Sequence, residues 1–234
     1  MPHDKPVVLI TAASKGIGRA IATHLSKEWT VVLLARSQEI ERIAADLGGF
    51  GVVGSVTEEA DLKRFVETAM GRYGRIDAVV NNTGHPAKGE LFQLSDADWQ
   101  QGFELIMASV IRLARLVMPV MERQKHGAFL NISSYAAKRP EVERAVSSVF
   151  RAALSAWTRV HAEAAAAHGI RVNSILAGFV DSYPADQAII ETIPMKRIGR
   201  LEELAKTVAF LISEEASYIT GQNILMDGGM VRTV

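Results

Sequence analysis

The 234-residue chain predicts one α/β domain, residues 1–234, built on a doubly wound parallel sheet of about seven strands with helices on both faces. Three observations carry that expectation. Short β-branched runs alternate with longer amphipathic stretches, the pattern of strand–helix–strand crossovers. The runs are apolar nearly throughout, as strands buried on both faces must be. A glycine-bearing turn follows the first run and leads into a helix. With 48% hydrophobic and 22% charged residues the chain can bury a substantial core.

The first strand is predicted over residues 6–11, and the helix after its turn over 19–28. Further β-branched runs place strands at 30–35, 50–55 and 76–81. Between the last two, residues 58–73 carry Leu62, Phe65, Val66 and Ala69 at helical spacing. Strands follow at 127–132 and 170–176, with long apolar helices over 107–121 and 145–167. The alanine run 164–167 ends at His168-Gly169, where glycine takes a left-handed cap. A short strand, 222–226, precedes the turn Asp227-Gly228-Gly229. No linker, repeat or low-complexity tract divides the chain.

Composition removes several function classes. The formal charge is +0, so no electrostatic case exists for nucleic acid or an anionic membrane. There is no cysteine, which excludes disulfides, thiolate metal sites and cysteine nucleophiles. The N-terminal stretch has neither a signal-peptide layout nor a spanning segment, so a soluble cytoplasmic protein is expected. No metal-binding pattern occurs, and His161 and His168 are expected at the surface near a helix end.

The turn Thr11-Ala12-Ala13-Ser14-Lys15-Gly16-Ile17-Gly18 is where chemistry is first legible. Glycines admit a pyrophosphate close to the backbone, and the following helix offers unpaired N–H groups and a positive dipole end. A strand before it and a helix after it make it a dinucleotide-binding turn.

This turn resembles the Thr-Gly-x-x-x-Gly-x-Gly turn of the short-chain dehydrogenase/reductase family, with Ala12 in place of the first glycine. The resemblance runs along the whole chain. Asn81-Asn82-Thr83-Gly84 is similar to the family's Asn-Asn-Ala-Gly, and Asn131-Ile132-Ser133-Ser134 to the end of its fifth strand. His168-Gly169-Ile170-Arg171-Val172-Asn173 resembles the entry to the sixth strand, and Ile219-Thr220-Gly221-Gln222 through Gly229 the C-terminal signature. It implies a Rossmann-like fold, a nicotinamide cofactor and a small-molecule substrate.

Which nicotinamide cofactor follows from the end of the second strand. Members that bind NAD hold the adenosine ribose with a carboxylate there, but here Ala35 stands in that place. Arg36 can lie against a 2′-phosphate, Ser37 can donate to it, and Lys15 adds a second cation, so NADP(H) is expected. Ser55, followed by Val56, occupies the place of the aspartate that often touches the adenine. The resemblance further assigns Thr11, Ser14, Gly16, Ile17 and Gly18 to the pyrophosphate turn and Asn82, Thr83 and Gly84 to the cofactor's edge. Gly178, Val180 and Ser182, after Ala177, are assigned to the nicotinamide carboxamide.

Carbonyl reduction creates an alkoxide that must be stabilised and protonated. The family uses a serine, a tyrosine, a lysine one helical turn later and an asparagine in the preceding long helix. Ser134 matches the serine. Ser147 stands for the tyrosine, Arg151 for the lysine and Ile106 for the asparagine. Ser147 and Arg151 are four apart and share a helix face. Arg151 keeps a cation and donors for the nicotinamide ribose, but does not deprotonate. Ser147 is short and non-acidic, and Ile106 offers water nothing. Tyr183, Tyr135 and His85 are candidate replacement acids. The expected activity is NADP(H)-dependent hydride transfer with an altered proton relay; a cofactor-bound sensor or partner-binding scaffold, or a non-redox enzyme, is the alternative. Family members pair through the two long central helices, so a homodimer or homotetramer is expected.

Overall fold

The computed structural model describes residues 5–182 and 185–232. Seven strands, β1 (Val7–Thr11), β2 (Thr30–Ala35), β3 (Phe50–Val53), β4 (Ala78–Asn81), β5 (Gly127–Ser134), β6 (Ile170–Ala177) and β7 (Asn223–Met226), form one sheet. Its order is β3-β2-β1-β4-β5-β6-β7, with every neighbouring pair parallel. The winding therefore reverses between β1 and β4. In open parallel sheets a ligand crevice lies at such a reversal, outside the carboxyl ends of the strands.

The helices are α1 (Gly16–Leu25), α2 (Glu39–Asp46), α3 (Glu59–Tyr73), α4 (Asp96–Phe103), α5 (Ser109–Gln124), α6 (Ala145–Ala166), α7 (Gln187–Thr192) and α8 (Leu201–Ile212). Alternate strand residues face opposite sides, so each strand feeds two cores. Val8 and Ile10 of β1 join Ile21 of α1, Ile40 of α2 and Leu204 of α8 on one side. Val7 and Leu9 join Phe65 of α3, Val117 of α5 and Ala165 of α6 on the other. Burial of each of the Val, Leu, Ile and Phe side chains among these stabilises the fold by roughly 1.5–3 kcal/mol. Both faces of the sheet are thus covered, which is why the strand runs are apolar throughout.

Several boundaries differ from the sequence expectation. Helix α1 begins at Gly16, three residues earlier than expected, because Gly16 itself makes the turn with φ 54° and the helix starts at once. Strand β3 stops at Val53, where Gly54 N–H still reaches Ala35 O but Ser55 N–H turns to Asp61 Oδ2. Strand β4 begins at Ala78, since Ile76 N–H is taken by the Gln124 side chain. Strand β5 runs two residues further than expected, to Ser134. Between α4 and α5, Glu104–Ala108 form a π-helical turn, which the sequence pattern does not announce. No helix among the described residues is long and apolar enough to cross a membrane.

Candidate active site

At the carboxyl end of β1, Thr11 and Asn82 tie two strand ends together. Thr11 Oγ1 donates to Asn82 O at 2.6 Å and accepts from Asn82 N at 2.9 Å. The Asn82 side chain donates to Ala12 O at 3.2 Å. Ala12 has φ 49°, a left-handed conformation that a Cβ makes costly. Ala12 thus holds a backbone conformation that glycine adopts freely. Gly18 shows how tightly it is drawn: a Cβ there would lie 2.5 Å from Ala12 O and 2.8 Å from Asn82 Nδ2.

Ser14, Gly16 and Ile17 are half-buried along this turn, and Lys15 stands exposed immediately before α1. The α1 start has no side-chain cap and no acid in its first turn, so its N–H groups and dipole end remain available to an anion. Arg36 and Ser37 are exposed after β2, beside the neutral Ala35. Among the described residues neither Lys15 nor Arg36 has an ion-pair partner. Ser55 is held by Asp61 and by a hydroxyl contact to Thr57 at 2.8 Å. Val56, Thr11, Asn82 and Thr83 line one small cavity where β1 and β4 end. Gly84 is exposed just beyond.

The loop after β6 reaches the same place. A Cβ on Gly16 would lie 3.8 Å from Ser182 Cβ, so the pyrophosphate turn and the candidate carboxamide loop are neighbours. Gly178 packs on Asp227, leaving only 2.7 Å between a Cβ there and Asp227 Cα, and Val180 is buried and bridges to Gly199. This cradle of glycines, backbone N–H groups and exposed cations fits a dinucleotide with a phosphorylated adenosine ribose.

The relay positions follow along β5 and α6. Ser134 ends β5, and its Oγ accepts from Ala136 N at 3.2 Å. Ser147 is half-buried on α6, one turn before Arg151. Arg151 is only 5% exposed and donates from Nη1 to Ile132 O at 2.8 Å, while its buried Nε has no partner among the described residues. Burial lowers its pKa to about 10, which still leaves it protonated at neutral pH. A buried guanidinium with most of its donors unused is built to receive oxygen atoms. Ile106 lies fully buried in the π-helical turn, against Val110 and Leu154.

The replacement acids separate clearly. Tyr183 lies outside the described residues. Tyr135 is buried in the short helix Tyr135–Ala137, donates from its hydroxyl to Glu141 Oε1 at 2.7 Å and accepts from Arg144 Nη1 at 3.0 Å. Burial and the Glu141 carboxylate push its pKa up to about 12. Its proton is committed to Glu141. His85 is solvent-exposed after β4; partial desolvation first, then the charges of Arg151, Lys88 and Arg144, lower its pKa.

One sequence expectation is corrected outright. His161 is not a surface residue: it is 6% exposed on α6, between the rings of Phe129 (4.8 Å) and Trp157 (5.4 Å). Burial lowers its pKa to about 4. The inward face of α6 is set by packing on β6 and β5, which the alanine-rich stretch around His161 conceals. His168 is exposed at the helix end as expected. The sequence reading also missed Glu141 and Arg144, whose partners come together only through the fold.

Comparison with known proteins places this arrangement. The family model described as enoyl-(acyl carrier protein) reductase matches residues 11–231. The 3-oxoacyl-[acyl-carrier-protein] reductase FabG of Escherichia coli K12 is 32% identical, over 98% of this chain and 99% of that protein. The chain belongs to the short-chain dehydrogenase/reductase family. Among solved structures, that of YwfH, an NADPH-dependent reductase involved in bacilysin biosynthesis, superposes with a TM-score of 0.94 at 28% identity, over 99% of this chain and 100% of that one. The L-sorbose reductase of Gluconobacter frateurii, solved with NADPH and L-sorbose, gives 0.93 at 30% identity, each chain covered to 98%.

Proposed function

We propose that this chain is an NADP(H)-dependent oxidoreductase of the short-chain type, reducing a carbonyl or related small molecule with an altered proton relay. The observation that carries the reading is the tight Ala12–Asn82–Gly18 cradle at an uncapped helix start, with the neutral Ala35 in place of a ribose-binding acid. Thr11, Ser14, Gly16, Ile17 and Gly18 would hold the pyrophosphate, and Lys15, Arg36 and Ser37 the 2′-phosphate. Ser55 and Val56 would flank the adenine, with Asn82, Thr83 and Gly84 along the cofactor's edge. Gly178, Val180 and Ser182 would take the carboxamide. Similarity to reductases described with NADPH supports the same cofactor.

When bound, the reduced cofactor supplies the hydride. Ser134 donates to the substrate oxygen, and Arg151 offers a permanent cation and its unused N–H groups to the nicotinamide ribose. Ser147 is too short and too weakly acidic to act as the phenol does, so water or a neighbouring side chain would supply the proton. General acid catalysis contributes about 10²–10⁴-fold, whereas positioning supplies roughly 7–11 kcal/mol, so turnover survives at reduced rate. We place the protein in the cytoplasm and pair it as a homodimer or homotetramer through α5 and α6; Val149 and Val160 of α6 stand exposed.

Fluorescence titration with NADPH and NADH tests the cofactor, with tighter NADPH expected. A screen of carbonyls and enones at the absorbance of the reduced cofactor tests the activity. Tight NADPH binding without turnover of any of them would favour a second reading, a cofactor-bound sensor, to which the loss of the phenol at Ser147 also points.

A further inference from the structure

We propose that the cleft lined by Arg144 and Phe179, beside Tyr135, receives the substrate and that Arg144 anchors a carboxylate there, so that the substrate is a small oxo acid with an apolar body. The inference rests on the oxidoreductase reading above and names its substrate class.

Arg144 sits at the end of a short helical turn, Val142–Arg144, directly before α6. Its Nη1 donates to the Tyr135 hydroxyl at 3.0 Å and lies 3.4 Å from Glu141 Oε2. Its guanidinium carbon is 5.6 Å from the centroid of the Phe179 ring. Glu141 is itself tied down, by the Tyr135 hydroxyl through Oε1 and by its backbone N–H to Ser148 Oγ at 3.0 Å. The arginine is thus oriented before any ligand arrives, which removes much of the ordering cost of binding.

The donor and acceptor count then decides what it is oriented for. The Tyr135 hydroxyl donates to Glu141 and accepts from Arg144, and both Glu141 oxygens are engaged. Arg144 keeps the N–H groups of Nε and Nη2, which have no partner among the described residues. Guanidinium edges match two oxygens of one carboxylate in a planar fork.

The surroundings bear on the same choice. The charges that bear on His85 are Arg151, Lys88 and Arg144, all positive. Arg151 is buried with no carboxylate paired to it among the described residues. The cleft itself, about 470 Å³, is lined by Glu141, Val142, Glu143, Arg144, Phe179 and Ile189. Val142, Phe179 and Ile189 provide an apolar wall for a hydrocarbon body. Of the two acids, Glu141 is spent within the network, and Glu143 is solvent-exposed, where its repulsion is screened.

The test compares 2-oxo and 3-oxo acids of four to eight carbons with their methyl esters, at saturating NADPH, in the wild type, Arg144→Met and Arg144→Lys. Alongside, calorimetry follows 4-methylpentanoate and 4-methylpentanamide binding to the same three proteins, whose folding is checked by circular dichroism. We expect kcat/KM for the acids to exceed that for the esters at least tenfold. Arg144→Met should abolish that preference through KM while sparing the esters, and Arg144→Lys should retain part of it. The carboxylate, not the amide, should bind the wild type and be lost in Arg144→Met. Equal use of acids and esters, or an Arg144→Met loss common to both, overturns the anchor and leaves the oxidoreductase reading standing. If neither class turns over although NADPH binds, that reading fails; the anchor then falls too if 4-methylpentanoate binds Arg144→Met as well as the wild type.

Discussion

Thr11 and Asn82 hold each other by two hydrogen bonds, one donated and one accepted by the same hydroxyl, across the point where the sheet reverses its winding. Both groups are buried. Thr11→Val removes the hydroxyl and leaves Asn82 N–H and O unsatisfied together. Unfolding in urea should show a loss of about 1–3 kcal/mol, with weakened NADPH binding measured in parallel.

Gly18→Ala should separate binding from stability. The new methyl must displace Ala12 O or the Asn82 amide, both part of the pyrophosphate turn. NADPH affinity should fall on the order of a hundredfold by fluorescence titration, a cost of about 2.7 kcal/mol.

Ala35→Asp places a carboxylate where a 2′-phosphate would lie. Like charges disfavour NADPH, while ribose hydroxyls gain an acceptor. The ratio of NADPH to NADH affinity should fall by about two orders of magnitude. An unchanged ratio would remove Ala35 from the cofactor site.

Stability should depend on pH through His161. Its folded pKa is lowered to about 4 while the unfolded chain titrates near 6.5, so the unfolded state binds more protons in between. The stabilisation is complete above the unfolded value and is lost as pH falls from there toward the folded one. Between pH 7 and pH 5 roughly 2 kcal/mol should disappear. His161→Phe should flatten this dependence in thermal melts taken across that window.

Ser147→Tyr combined with Arg151→Lys rebuilds the family's acid on the same helix face. Reduction of simple ketones should rise about a hundredfold in initial-rate assays if the pocket is otherwise intact. No gain would mean that Ile106, or the packing around it, also blocks the relay.

The strands are legible in the sequence because a parallel sheet covered on both faces leaves continuous β-branched runs such as Val7–Thr11 and Thr30–Ala35. The dinucleotide turn is legible because its residues are consecutive. What escapes is nonlocal. Tyr135 and Arg144 are nine residues apart, and Phe179 joins them only after β6 is laid beside β5. His161 carries no local mark of burial; only the orientation of α6 on Phe129 sets its environment. The π-helical turn at Glu104–Ala108 is invisible for the same reason, since its residues suit an ordinary helix equally well.

That turn also makes α4 and α5 one rod with a step in its phase. A regular helix advances about 100° and 1.5 Å per residue, so a single residue more or less within it rotates everything beyond. Gly102 sits so close to α6 that a Cβ would meet Val146 Cγ1, and Leu113 faces the sheet. Deleting one residue between them would keep either Gly102 on α6 or Leu113 on the sheet, but not both. The length of this stretch is therefore fixed by the two contacts at its ends.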